Sequence, residues 1–323
     1  MIDRKKTKYI QGVAIMLMII HHYVLYGIDL NEYSKLGKLI LESIGWTGKL
    51  CVSIFLLCSG IGMYYKKNTI KDGKIVNYCV NKVFNLYKSY IIILFIFLPF
   101  LYFIGYKIDI YSLLLHLLTI NSDFNNSWWF LNTYLLIILT FPIFIRYDKK
   151  NNLLKISVCI MMVGYILNIL NTIFKTSLFE NSIFSSVYLF LINQFPFWVG
   201  FIFAKNSKIL NKIEIHKLSQ IIITICIITI TRSILRKFNL DNVLTDTFLS
   251  FLLVYILCKK PIFSNFFVYF GKHSTGMWLS HLFFIMLLNT LNLSNISVIL
   301  GLLIVIVLSL IVDYLINKKY FTE

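Results

Sequence analysis

Ten stretches of this chain, each about as long as a membrane is thick, are almost free of charge, and lysines crowd the gaps between them. A hydrocarbon core about 30 Å thick takes about 20 residues of helix. The runs fall at roughly 10–28, 46–65, 88–106, 127–146, 153–174, 186–204, 217–235, 244–258, 274–292 and 296–317, the eighth being short. Only 14% of the residues are charged, against about 25% in soluble domains, and the mean hydropathy is +0.77. The expected fold is therefore all-α: a polytopic membrane protein of about ten transmembrane helices. All 323 residues form one membrane domain on this reading, with no fused extracellular domain. No signal-peptide cleavage pattern precedes the first run, so that helix is expected to be retained.

A net charge of +17 would suit nucleic acid, but its distribution says otherwise. Twenty-three of the 31 Lys and Arg fall in alternate connections, those facing inside if the N-terminus is inside. That asymmetry is the positive-inside signal. It places both termini in the cytoplasm and leaves nucleic acid out as a partner. The six cysteines, Cys51, Cys58, Cys79, Cys159, Cys226 and Cys258, show no CxxC or His/Cys spacing and read as buried thiols. No metal site is expected. The segment Asp109–Ile120 is too short to cross and suits an interfacial or re-entrant helix, with His116 at the interface. No internal repeat is evident.

The unusual feature of the first run is AIMLMIIHHYVLYG, two adjacent histidines in an apolar stretch. A polar side chain in a membrane is costly and tends to face a protein interior or a pathway. His22 lies about 13 residues into the run, roughly 20 Å from the inner surface at helical rise. Gln11 and Lys8 lie within about 20° and 40° of its azimuth at 100° per residue, so the three share one helix face. His21 points about 100° away. Packing by hydrogen bonds between helices is the structural alternative for His22.

These residues carry a family resemblance. RKKTKYIQGVAIMLMIIHHY is similar to the opening of the acyltransferase-3 family of integral-membrane O-acyltransferases, in which a basic residue and a glycine precede an essential histidine. Aligning on Gly12 places that histidine at His22. Three further stretches follow in the family's order: VSIFLLCSG (52–60) resembles its VPxFFxxSG segment, SWWFL (127–131) its WFL segment, and FGKHSTGMWLSH (270–281) its late LGxxSxxxYxxH segment. The chain departs from the pattern at Gln11, where the family has Arg or Lys, at Ser53 and Leu56, and at Trp278, where it has Tyr.

The resemblance implies transfer of an acyl group from cytosolic acyl-CoA, acetyl-CoA foremost, to a hydroxyl on the outer side. A succinyl group would differ only in the donor pocket. Acyl-CoA is then a donor substrate and no bound cofactor is needed. The acceptor would be a polysaccharide, a cell-wall glycan or a lipid-linked glycan precursor. An imidazole with a pKa near 6.5 can take the hydroxyl proton and return it to the thiolate, or carry the acyl group itself.

Lys8, Gln11, Ser59 and His281 are the donor-side candidates, Trp129 and Arg232 the acceptor-side ones. Each has a plainer reading. Ser59 would bond back to its own helix, Trp129 would be one of the tryptophans common at an interface, and His281 would tie two helices. Arg232 would snorkel to the interface with Arg236. Membrane lipid surrounds the chain, and a homo-oligomer or a separate extracytoplasmic transferase would fit as partner. Residue usage points to an AT-rich bacterial genome and hence the cytoplasmic (inner) membrane. The other class of function is a transporter or flippase of a glycolipid or small metabolite using the histidines as proton relays. It leaves the four ordered segments unexplained.

Overall fold

The structure, a computed structural model, describes residues 4–71, 73–150, 152–175, 181–206, 218–240, 242–259, 261–293 and 296–318. Twelve α-helices and no strands occur among them: α1 (Arg4–Tyr26), α2 (Lys35–Gly48), α3 (Cys51–Thr69), α4 (Ile75–Phe103), α5 (Ile110–Leu117), α6 (Trp129–Phe144), α7 (Leu153–Ile173), α8 (Ser182–Lys205), α9 (Leu218–Lys237), α10 (Val243–Lys259), α11 (Ser264–Thr290) and α12 (Val298–Lys318). Nine of the ten apolar runs fall mainly on one helix each, and the run at 46–65 starts on the end of α2 and continues on α3. Eight helical stretches are long and apolar enough to cross a membrane, with α2 and α3 forming one of them, Lys35–Thr69. Hydrocarbon offers no partner for a backbone N–H or C=O, which is why apolar runs of this length fold as helices. The chain is an all-α polytopic membrane protein.

The helices differ from the apolar runs in instructive ways. α2 stands where the runs leave only a connection. Ser34 caps it, accepting a hydrogen bond from the Gly37 N–H at 3.2 Å, and Lys35, Lys38 and Glu42 interrupt its apolar residues. α4 has 29 residues, about 43 Å of helix, so Lys82 and Lys88 ride on its first half. α5 has eight residues and is capped by Asp109, which accepts from the Ser112 N–H at 2.6 Å. His116 is fully buried within the protein. Cys159 and Cys226 are exposed thiols rather than buried ones. Lys208, Lys212 and Lys217 of the inner charge set lie outside the described residues.

The chain divides into two compact units, residues 1–58 with 206–323, and residues 59–205. In the first, α1 is central: Tyr9, Ile10, Ala14, Ile15, Met18 and Ile19 are all buried. α11 runs beside it in the same direction. Lys8 Nζ donates to the Gly271 carbonyl at 3.1 Å near one end, and Asn289 Nδ2 donates to the Tyr26 carbonyl at 2.7 Å near the other. Small residues allow the closeness, because a Cβ on Gly12 would overlap the Phe267 carbonyl and one on Gly271 the Lys8 carbonyl. α12 joins α11 through Asp313, whose Oδ1 accepts the Gly276 N–H at 2.8 Å and whose Oδ2 lies 2.7 Å from His273 Nδ1. α2 abuts α1 at Gly45 and Gly48, and α10 reaches the α2–α3 junction where Ser250 Oγ donates to the Leu50 carbonyl at 3.2 Å.

In the second unit, α7 is pinned to α8 by Ser157 and Gln194. Ser157 Oγ donates to Gln194 Oε1 at 2.7 Å, and Gln194 Nε2 returns a bond to the Ser157 carbonyl at 2.9 Å. Phe141 of α6 stacks on Trp198 of α8, ring centroids 5.5 Å apart. The Tyr87 and Tyr90 hydroxyls of α4 hold the end of α5, donating to the carbonyls of Leu117 and His116, each at 2.7 Å. Asp148, after α6, takes Lys67 Nζ and Lys205 Nζ at 2.7 Å each.

Candidate active site

His22 stands one turn before the end of α1, and His281 lies inside α11. The shared course of these helices brings them together across 259 residues of sequence: His22 Nδ1 lies 2.7 Å from His281 Nε2. The two rings stack at 4.9 Å and 25°. His281 is fully buried, whereas His22 is partly exposed.

The hydrogen bonds fix the tautomers. His281 Nδ1 lies 2.7 Å from the Trp278 carbonyl, which only accepts. His281 therefore carries its proton on Nδ1 and, as a neutral imidazole, presents a lone pair at Nε2. His22 must donate to that lone pair through Nδ1, which leaves its own lone pair on Nε2. A backbone carbonyl, a buried imidazole and a partly exposed imidazole thus form one line, ending in a basic nitrogen. This is the arrangement in which one group orients a base by holding its other ring nitrogen.

His21 turns elsewhere. Its Nδ1 donates to the Gly45 carbonyl of α2 at 2.7 Å, and its ring meets Trp46 edge-on at 5.4 Å. The two adjacent histidines thus serve two different neighbouring helices, though their rings are only 5.0 Å apart. Lys8 donates to Gly271 as above, on the α11 side of α1. Gln11 is half-buried, and its Oε1 is buried without a hydrogen-bond partner among the described residues.

Arg232 does not snorkel outward. It is fully buried, with Nε 3.1 Å from Asp246 Oδ1 of α10 and Nη2 donating to Oδ2 at 3.4 Å. Arg236, one turn on, lies over the Trp46 ring with its guanidinium carbon 3.1 Å from the centroid. Ser59 and Trp129 belong to the other unit. There Ser59 Oγ shares a hydrogen bond with the Tyr134 hydroxyl at 2.9 Å and so does not merely bond back to its helix. Trp129 is partly exposed beside Phe130, and its neighbour Trp128 is buried against Tyr90.

Sequence reasoning passed over Asp246, Trp46, Tyr134, His273 and Asp313. For the two aspartates a signal existed: a carboxylate inside an apolar run needs a cation or several N–H groups. Tyr134 and Trp46 carried no such mark. Among the described residues, no three His, Cys, Asp or Glu side chains group closely enough for a metal ion.

Comparison with known proteins agrees with the resemblance noted in the sequence. The family model described as an acyltransferase domain, of the acyltransferase-3 type, matches residues 6–318. No curated protein and no solved structure matches significantly. Its match spans the first helix with His22, the 52–60, 127–131 and 270–281 segments, and nearly all the rest: the chain belongs to the acyltransferase-3 family of membrane O-acyltransferases.

Proposed function

We propose that the protein moves an acetyl group from cytosolic acetyl-CoA to a hydroxyl of a surface or cell-wall glycan, or its lipid-linked precursor, in the bacterial cytoplasmic membrane, with His22 as the base. The observation that carries this reading is the line from the Trp278 carbonyl through His281 to His22, which leaves the His22 Nε2 lone pair available. In the transfer step, the acceptor oxygen attacks the thioester carbonyl carbon as its proton passes to His22 Nε2. The tetrahedral intermediate then breaks its C–S bond, and the proton on Nε2 goes to the departing thiolate. Nothing is left over, and His22 returns to its starting tautomer.

The other candidates have supporting parts. His281 holds His22 and stabilises the imidazolium that forms. Lys8 and Gln11 lie about four and three turns below His22 on its face of α1, on the expected cytosolic side where the donor's polar arm would run. A neutral Gln11 where the family has a cation fits an amide contact to that arm.

The test compares wild type and His22→Ala at equal membrane levels and measures ester-linked acyl groups on surface glycans by mass spectrometry. Acylation is expected to depend on the wild-type chain and to vanish with His22→Ala. Full acylation by the variant would remove His22 from the chemistry.

A further inference from the structure

We infer that Asp313 is a positioning residue for the histidine pair: its carboxylate clamps the turn of α11 just ahead of the carbonyl that holds His281, and so sets where His22 aims its lone pair. This rests on the acyl-transfer reading above and extends it to a third helix of the same unit, α12.

The carboxylate reaches two places on α11 at once. Oδ1 accepts the Gly276 N–H at 2.8 Å, and Oδ2 lies 2.7 Å from His273 Nδ1. An ionised carboxylate only accepts, so His273 donates. The two groups are three residues apart, and one residue of α12 thereby holds a whole turn of α11. Two residues after Gly276 comes Trp278, whose carbonyl takes the His281 Nδ1–H. Helical rise puts it about 3 Å further along. The clamp therefore stands at the root of the line that ends on His22.

The fit leaves no slack. A Cβ on Gly276 would overlap the Cβ and Cα of Asp313. α12 also meets the other histidine helix, because a Cβ on Gly301 would overlap the hydroxyl of Tyr23, the residue after His22. One helix braces both.

The cost of this carboxylate argues for direction rather than strength. Asp313 is 2% exposed, within Val298–Ile316, the most apolar of the candidate spans. Taking a charge out of water is expensive, and apolar residues of similar volume often hold two elements together as well or better. What they do not supply is register: two oxygens on two N–H groups fix both the height and the rotation of α11 against α12. His281 rides on that height and rotation. A misplacement of about 1 Å at a reacting group can cost about 100-fold in rate.

The experiment has two readouts on the full chain. In neutral detergent, with isotopically labelled histidine nitrogens, nuclear magnetic resonance reads the scalar coupling that an N–H···N bond transmits between the His22 and His281 rings. In membrane vesicles holding equal amounts of each variant, radiolabelled acetyl-CoA is titrated and ester-linked label on the endogenous glycan is measured. Asp313→Asn keeps an oxygen for the Gly276 N–H and an amide that can bond the other tautomer of His273, and it should keep the ring coupling and most of the rate. Asp313→Leu should lose the coupling and about tenfold or more in kcat, with KM for acetyl-CoA unchanged. His273→Leu/Asp313→Leu strands no partner and should melt at the wild-type temperature, yet share the loss of coupling and of kcat. In a His281→Leu background, Asp313→Leu should cost nothing further, because it acts through His281. Wild-type coupling in the double leucine variant overturns the proposal. So does a double leucine variant that regains wild-type kcat with its melting temperature, which would mark Asp313 as packing alone, or a kcat loss that persists in full without His281. No acetyl transfer by wild type would remove the acyl-transfer reading instead, and the ring coupling would still decide whether the clamp exists.

Discussion

Gly12 and Gly271 meet backbone to backbone, so closely that a Cβ on Gly271 would stand 3.0 Å from the Gly12 nitrogen. His22 and His281 meet ten residues further along each helix, about 15 Å away at helical rise. Because α1 and α11 run parallel and rise equally, the glycine contact sets the register in which the two imidazoles face one another.

Gly271→Val should therefore damage the site from a distance. The new side chain overlaps the Lys8 carbonyl, a backbone atom that cannot swing aside. Overpacking of this kind costs about 1–3 kcal/mol, and the helices must separate or slide. The expected result is a lower melting temperature and at least a tenfold loss of acyl transfer. Gly62→Ala is the control, since nothing lies within 4 Å of its would-be Cβ, and it should match wild type in both measurements.

The histidine pair should behave as a unit. His22→Ala removes the proposed base, a loss of about 10²–10⁴-fold for general base catalysis. His281→Leu leaves the base but strands its Nδ1–H in a buried place, and a smaller loss of about 10–100-fold is expected from that lost bond. His281→Gln offers an amide oxygen near the old Nε2 position and should recover part of the rate. The double variant His22→Ala/His281→Leu should be no slower than His22→Ala alone, because His281 acts only through His22. Additive losses would mean that His281 contacts substrate directly.

Much of this was legible in the sequence. The apolar runs are hydrophobic all round, so their membrane placement needs no knowledge of neighbours, and every one became a helix. His22 and His281 each stood out as costly residues in an apolar setting. Their pairing did not, because periodicity gives the face of a helix but not which of eleven other helices lies against it. α2 escaped for a different reason: its charged residues shorten the apolar run, and its helical start depends on the Ser34 cap. The Arg232–Asp246 pair could have been foreseen from two opposite charges in neighbouring spans, had the acid been weighed with the base.

His116 gives a pH dependence outside the spans. Its Nδ1 donates to the Ser112 carbonyl at 2.8 Å and its Nε2 accepts the Phe124 N–H at 3.2 Å, with the ring stacked on Phe124 at 3.7 Å. That role requires the neutral ring, and burial holds its pKa below the ordinary value. The unfolded segment, titrating near 6.5, therefore binds a proton more readily than the folded one. The contribution to stability is full above about 6.5 and declines as pH falls below it. Hydrogen exchange at the Phe124 amide should speed up between pH 7.5 and 5 beyond the intrinsic rate change. His116→Asn should flatten that response; an unchanged response would assign it to another group.

The buried ion pair gives the sharpest stability test. Arg232 is fully buried and Asp246 nearly so, on adjacent helices of one unit. Removing one partner leaves the other charge without its counterion in an apolar interior, at a cost of about 3–5 kcal/mol. Arg232→Met and Asp246→Leu should each sharply reduce the yield of monodisperse protein extracted in detergent and lower its melting temperature. Together they remove both charges and fill a similar volume, which is often neutral or stabilising. The double variant should then recover the yield and melting temperature of wild type, whatever becomes of its activity. Two single losses that simply add in the double variant would show that each side chain is held by other neighbours, and that the pair does not fix α9 against α10.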